Sequence, residues 1–108
     1  MRVQRTTATT GALAMTISPG VDFKVVAIKL HLGAVGGAGT FTATTDAIAG
    51  ATYDAVIALQ DMTAVADYVN VFTTPIPFSK NDSVVFAWAN SGNVTYGLEV
   101  FWEPEFLR

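Results

Sequence analysis

The chain has 108 residues, six of them basic and nine acidic, a formal net charge of −3 and no cysteine. That length suits one domain with its own core, and the lack of cysteine excludes disulfides, thiolate chemistry and cysteine-ligated zinc. The basic residues Arg2, Arg5, Lys24, Lys29, Lys80 and Arg108 are scattered and too few for the many phosphate contacts of a nucleic-acid binder.

Residues 1–20, MRVQRTTATTGALAMTISPG, begin with basic side chains but lack the apolar run of a signal peptide. Within them, residues 1–11 are polar and rich in threonine, whose branched Cβ favours extended backbone. They read as an edge strand or an extended arm lying against a neighbour, and residues 12–108 as the single folded domain. Ala12 to Ile17 forms a short strand closed by SPG. The following FKVVAIKLHL is the clearest strand of the first half, with Val26, Ile28, Leu30 and Leu32 on one parity and Val25, Ala27, Lys29 and His31 on the other. Its charges and its length exclude a bilayer span, so no membrane partner is expected.

GAVGGAG at 33–39 must be a connection, because four glycines in seven positions cost too much backbone entropy in a regular element. No GK[ST] ending follows it, and GTFTATT continues as a strand with Phe41 and Ala43 inward, so it is not read as a phosphate loop. Tyr53, Ala55, Ile57 and Leu59 alternate as a strand, although Val56, Leu59, Thr63 and Ala66 would also suit a helix. YVNVF at 68–72 is a strand. Pro75 and Pro77 bar the next segment, TTPIPFSKND, from the middle of a sheet.

SVVFAWANSGNVTYGLEVFW, residues 83–102, reads as a hairpin turning at NSGN, before a tail, EPEFLR, that leaves the sheet. Val84, Phe86, Trp88, Tyr96, Leu98, Val100 and Trp102 share the core parity. Val85, Ala87 and Phe101 share the other and, on adjacent strands, would form a contact patch. Only 14% of the chain is charged, against about 25% in a typical soluble domain, which fits either an unusually neutral free surface or one partly covered by other subunits, the second being favoured by the residues of that patch. The pattern of seven or eight short strands between glycine, proline and asparagine turns is that of an all-β sandwich or Greek-key barrel.

Chemistry finds little support. His31 is the only histidine and lies on the parity of Lys29, no serine occupies a G-x-S-x-G elbow, and no D-x-D-x-D-G calcium spacing occurs. Asp46, Asp54, Asp61, Asp67 and Asp82 read as turn caps. No enzyme activity, cofactor, metal or small-molecule ligand is expected. Trp88, Tyr96 and Trp102 are read as core aromatics rather than a sugar platform.

From Thr52 onward, ATYDAVIAL and YVNVFTTPIPFSKNDSVVFAWANSGNVTYGLEVFW resemble small bacteriophage head-gene proteins in Tyr53-Asp54, PIPF, KND before a strand, and WAN…YGLEV. Some of these are eight-stranded jelly-roll domains that decorate or cement the capsid, or form the base of a head fibre. The resemblance implies a structural virion protein on the capsid surface, a homotrimer, with the major capsid protein of an icosahedral shell as partner. Val85, Ala87 and Phe101 would then face sister subunits. The arm, through Arg2, Val3, Arg5 and Thr7, would reach the shell and add backbone hydrogen bonds to an exposed edge. The alternative is a carbohydrate- or receptor-binding β-sandwich module.

Overall fold

β-branched and aromatic residues on alternate positions bury one row of side chains per strand, and two such sheets must close over each other to hide those rows. In the computed structural model, which describes residues 1–105, eight strands do this. They are β1 (Arg2–Ala8), β2 (Leu13–Ile17), β3 (Phe23–Leu32), β4 (Thr40–Asp46), β5 (Val56–Asp61), β6 (Asp67–Phe78), β7 (Ser83–Trp88) and β8 (Tyr96–Pro104), with a single 3₁₀ turn at Ala51–Tyr53. The first sheet has the order β1-β8-β3-β6 and the second β2-β7-β4-β5, all neighbours antiparallel. Phe23, Ile28, Leu30, Leu98 and Val100 of the first sheet meet Ile17, Phe41, Val84 and Phe86 of the second in the core. Aromatic contacts close both ends: Phe23 stacks on Phe78 with centroids 5.1 Å apart, and Trp88 meets Tyr96 edge-on at 6.4 Å.

The expected hairpin at 83–102 is not one. β7 pairs with β2 and β4, and β8 with β1 and β3, so the two strands lie in different sheets and face each other across the core. The alternation is unchanged because both arrangements point the same residues inward. An arch joins them, built on Asn90. This side chain is 1% exposed, at φ 51°, and it donates to the carbonyls of Gly11 and Val94 at 2.7 and 3.0 Å while accepting from the Val94 N–H at 3.0 Å.

Of the two readings of residues 1–11, edge strand and extended arm, the edge strand is the one seen over Arg2–Ala8. Arg2 to Ala8 pair with β8 over seven positions, from Arg2↔Trp102 to Ala8↔Tyr96, making β1 an edge of the first sheet. Thr9, Thr10 and Gly11 then cross to the second sheet. β1 nevertheless contributes no fully buried side chain.

Two bulges move the predicted parities. In β3 the register passes from Val25↔Trp102 to Ala27↔Phe101, so Val26 is the extra residue and Val25, not Val26, joins the core. In the second sheet Ala43↔Ala58 is followed by Thr44↔Val56, which makes Ile57 the extra residue. Ala58 turns inward and Leu59 outward, and Tyr53 sits in the 3₁₀ turn rather than in a strand. The glycine loop packs on the 62–65 loop: a Cβ on Gly36 would lie 2.4 Å from the Met62 carbonyl oxygen. Close backbone approach, not phosphate, accounts for that glycine. Pro104 ends β8 and the Glu105 N–H donates to the Asp22 carbonyl at 2.7 Å, so the predicted exit from the sheet does not begin before Glu105. The rest of that predicted tail, 106–108, lies outside the described residues.

Candidate interaction surfaces

Strand register sets the outward side chains of the first sheet into three rungs. Val3, Phe101, Ala27 and Val71 make one, Arg5, Glu99, Lys29 and Val69 the next, and Thr7, Gly97, His31 and Asp67 the third. The middle rung holds an ion triad. Arg5 Nε donates to Glu99 Oε2 at 2.6 Å and Lys29 Nζ lies 3.2 Å from Glu99 Oε1. Hydrogen bonds from Arg5 first and Lys29 second hold the Glu99 carboxyl below its ordinary value of 4.5. On the third rung His31 Nδ1 is 2.5 Å from Asp67 Oδ1, both side chains well exposed. The residue beside His31 across the sheet is Gly97, which carries no nucleophile, and the Thr7 hydroxyl beyond it donates to the Tyr96 carbonyl at 2.8 Å.

Gly97 leaves a notch, since nothing lies within 4 Å of where its Cβ would be. The result is an open groove of about 530 Å³ lined by Arg5, Thr6, Thr7, Gly97, Leu98 and Glu99. Two of the expected shell-contact residues, Arg5 and Thr7, line it. The other two, Arg2 and Val3, lie further along the same edge strand, where the Arg2 guanidinium sits 5.7 Å above the Trp102 ring.

The outer face of the second sheet is different in kind. Its two central rungs are Ala14, Ala87, Thr42 and Leu59, then Thr16, Val85, Thr44 and Val56. None is ionisable. Charge appears only at the ends of the face, at Asp61 opposite Thr40 and Asp46 opposite Ser83. Leu59 and Val56 stand out most, at 64% and 55% exposed. A shallower depression of about 250 Å³ lies between Thr40, Thr42, Ala87 and Ala89.

The three residues expected to share a subunit contact are therefore divided. Val85 and Ala87 are together on the second sheet's outer face. Phe101 is on the opposite outer surface of the sandwich, with Val3, Ala27 and Val71 as its apolar neighbours. The error stems directly from the supposed hairpin. Sequence reasoning also missed Val56, Leu59, Val69 and Val71 as exposed apolar residues. In YVNVF the tyrosine and phenylalanine alternate against the two valines, which is the one sign that the valines face out.

Of the five aspartates read as turn caps, Asp54, Asp61 and Asp82 cap turns, whereas Asp46 ends β4 and Asp67 opens β6, where it meets His31. Asp54 accepts from the Ala47 N–H at 2.8 Å, Asp82 from those of Ile48 and Ser79 at 3.0 Å each, and Asp61 from that of Thr63 at 2.9 Å. The Thr63 N–H is also the main cause that holds the Asp61 carboxyl below its ordinary 3.8. Among the described residues no three acidic or histidine side chains converge on a point where a metal ion would sit. Trp88 and Tyr96 are buried, at 2% and 5% exposed, and Trp102 is half-covered by Phe23 and Arg2. No tryptophan presents an open ring face for a sugar. Comparison with family models, with curated proteins and with solved structures finds no match for this chain.

Proposed function

We propose that this chain is a jelly-roll structural protein of a phage virion, one that decorates or cements the outer surface of the capsid as a trimer. Support for the jelly-roll topology comes from the nested pairing β1·β8, β2·β7, β3·β6 and β4·β5, which is that of an eight-stranded ribbon folded in half and rolled into two sheets. Topology alone carries no function, and jelly rolls serve capsids and lectins alike.

The observation that carries the functional reading is the contrast between the two outer faces. A cementing subunit needs one surface toward its sisters and another toward the shell. The charge-free face around Val85, Ala87 and Leu59 can be covered without stripping water from an ion, and it is the sister contact. The outer face of the first sheet, with Val3, Arg5 and Thr7 on its edge strand and Phe101 beside them, is the shell contact, and Arg2, on the other parity over Trp102, borders it. Trimer formation then links three weak shell contacts into one firm attachment.

Incubation with empty capsids of the cognate phage tests this. The protein co-sediments with them and raises their disruption temperature. A protein left in the supernatant with both immature and mature shells overturns the reading. A second reading, a receptor- or carbohydrate-binding module, is favoured only by the Gly97 groove. Oligosaccharide-dependent shifts of the Thr7, Gly97 and Leu98 amide resonances would select it.

A further inference from the structure

Neither contact face uses the open edge of the first sheet. Among the described residues β6 has β3 on one side and no strand on the other. In an antiparallel ladder alternate residues turn their N–H and C=O away from the partner, so a bare edge is a template for another strand unless it is guarded. The second half of β6 is guarded by Pro75 and Pro77 and by the break in register between Val71 and Ile76. The first half has no proline. Its single charge, Asp67, is engaged with His31, and its two valines, Val69 and Val71, are 61% and 65% exposed.

The other three edges are better protected. β1 carries Arg2 and Arg5, β5 is bulged at Ile57 and ends on Asp61, and the Thr16 carbonyl of β2 accepts from the Gln4 side chain at 3.0 Å.

The first half of β6 is also self-complementary. Tyr68, Val69, Asn70, Val71 and Phe72 read alike in both directions by size and chemistry. We propose that β6 pairs with β6 of a second copy of this chain about a two-fold axis at Asn70, joining two first sheets into one of eight strands.

That register sets Tyr68 opposite Phe72 of the second copy on the inner side, where both are already packed partly against the core. On the outer side Val69 lies opposite Val71. Asp67 meets Thr73, an uncharged residue. The outer rung Arg5–Glu99–Lys29–Val69 then runs on into Val71–Ala27–Phe101–Val3 of the second copy, so the ionic half-row of one chain meets the apolar half-row of the other and no like charges oppose. A two-fold contact of this kind is isologous, with one patch serving both chains. It is separate from the second-sheet face and independent of any shell.

Single cysteines test it, because the chain has none of its own. Directly opposed residues in an antiparallel pair have Cα atoms about 4.5 or 5.5 Å apart, inside the span a disulfide accepts. Under mild oxidation Asn70→Cys is expected to shift from 11.4 kDa to twice that mass on a denaturing gel. Val69→Cys and Val71→Cys each remain single chains, whereas an equimolar mixture of the two yields the mixed dimer. Both valines are exposed, so the mixture carries the test even if the Asn70 variant folds poorly. The proposal is overturned if the mixture couples no more than an exposed control, Val35→Cys, or if either valine variant couples with itself as readily as with the other. The assay uses isolated protein, so its failure is read separately from a failure to bind capsids.

Discussion

The two outer faces of this sandwich come from the same alternating code and end with opposite surface chemistry. On the first sheet Arg5, Lys29, Glu99, His31 and Asp67 stand on neighbouring strands and largely satisfy one another. On the second, alanine, threonine and valine fill the same kind of outward row with no ion on the central rungs. Threonine explains how such a face persists: its branched Cβ suits the strand, and its hydroxyl keeps water without bringing a charge that must be desolvated at a contact. The charged face is specific and tied to pH and salt. The neutral face, with no ion on its central rungs, is expected to respond little to either.

The largest expected effect breaks the neutral face. Val85→Glu sets an unpaired carboxylate within the proposed contact, and is expected to weaken association by about 3 kcal/mol, on the order of a hundredfold. By sedimentation the variant shows no species larger than two chains while its β-type circular dichroism is retained. Phe101→Glu, on the other face, leaves that association intact but lowers binding to capsids. Equal loss of association from both substitutions would erase the distinction between the faces.

A smaller effect sharpens the charged face. The carboxyl of Glu99 is held below its ordinary value in the folded chain, so its contribution to stability is complete above the ordinary carboxylate range and is lost as pH falls through the lower, folded value. Asp61 behaves in the same way. Thermal melts taken downward from neutral pH should therefore decline in the acid range. Glu99→Gln should flatten part of that decline without affecting association through the neutral face.

The smallest effect concerns the edge. Arg2→Ala removes the guanidinium over Trp102, an interaction worth about 0.5–1 kcal/mol at an exposed site. The emission of Trp102 should move slightly to the red as water reaches its ring, with that of Trp88 unchanged; a Phe background at Trp88 isolates the signal.

Most strands and inward rows and the turn role of Asp54, Asp61 and Asp82 were legible in the sequence, because alternation and turn chemistry are largely local, whereas Asp46 and Asp67 fall in strands. Phe41, Ala43, Val84, Phe86, Trp88, Leu98 and Val100 are buried as their parity requires. Long-range pairing was not legible. Facing across a core and pairing within a sheet demand the same parity, so the arch at Asn90 was mistaken for a hairpin turn, and Phe101 was assigned the wrong neighbours. The bulges at Val26 and Ile57 escaped for a related reason. One extra residue reverses the alternation beyond it, and β-branched residues on both parities conceal the change. The edge role of β1 was one of two options for a threonine-rich segment, and only the register with β8 decides it.

The mass of the unmodified protein in solution at micromolar concentration, beside that of Val85→Glu, tests the claim that the neutral face is a buried contact. The native sequence is expected to sediment as a multiple of three chains and the variant as no more than two. A native protein sedimenting as a single 11.4 kDa chain, or as no more than two, would contradict the neutral face as a contact.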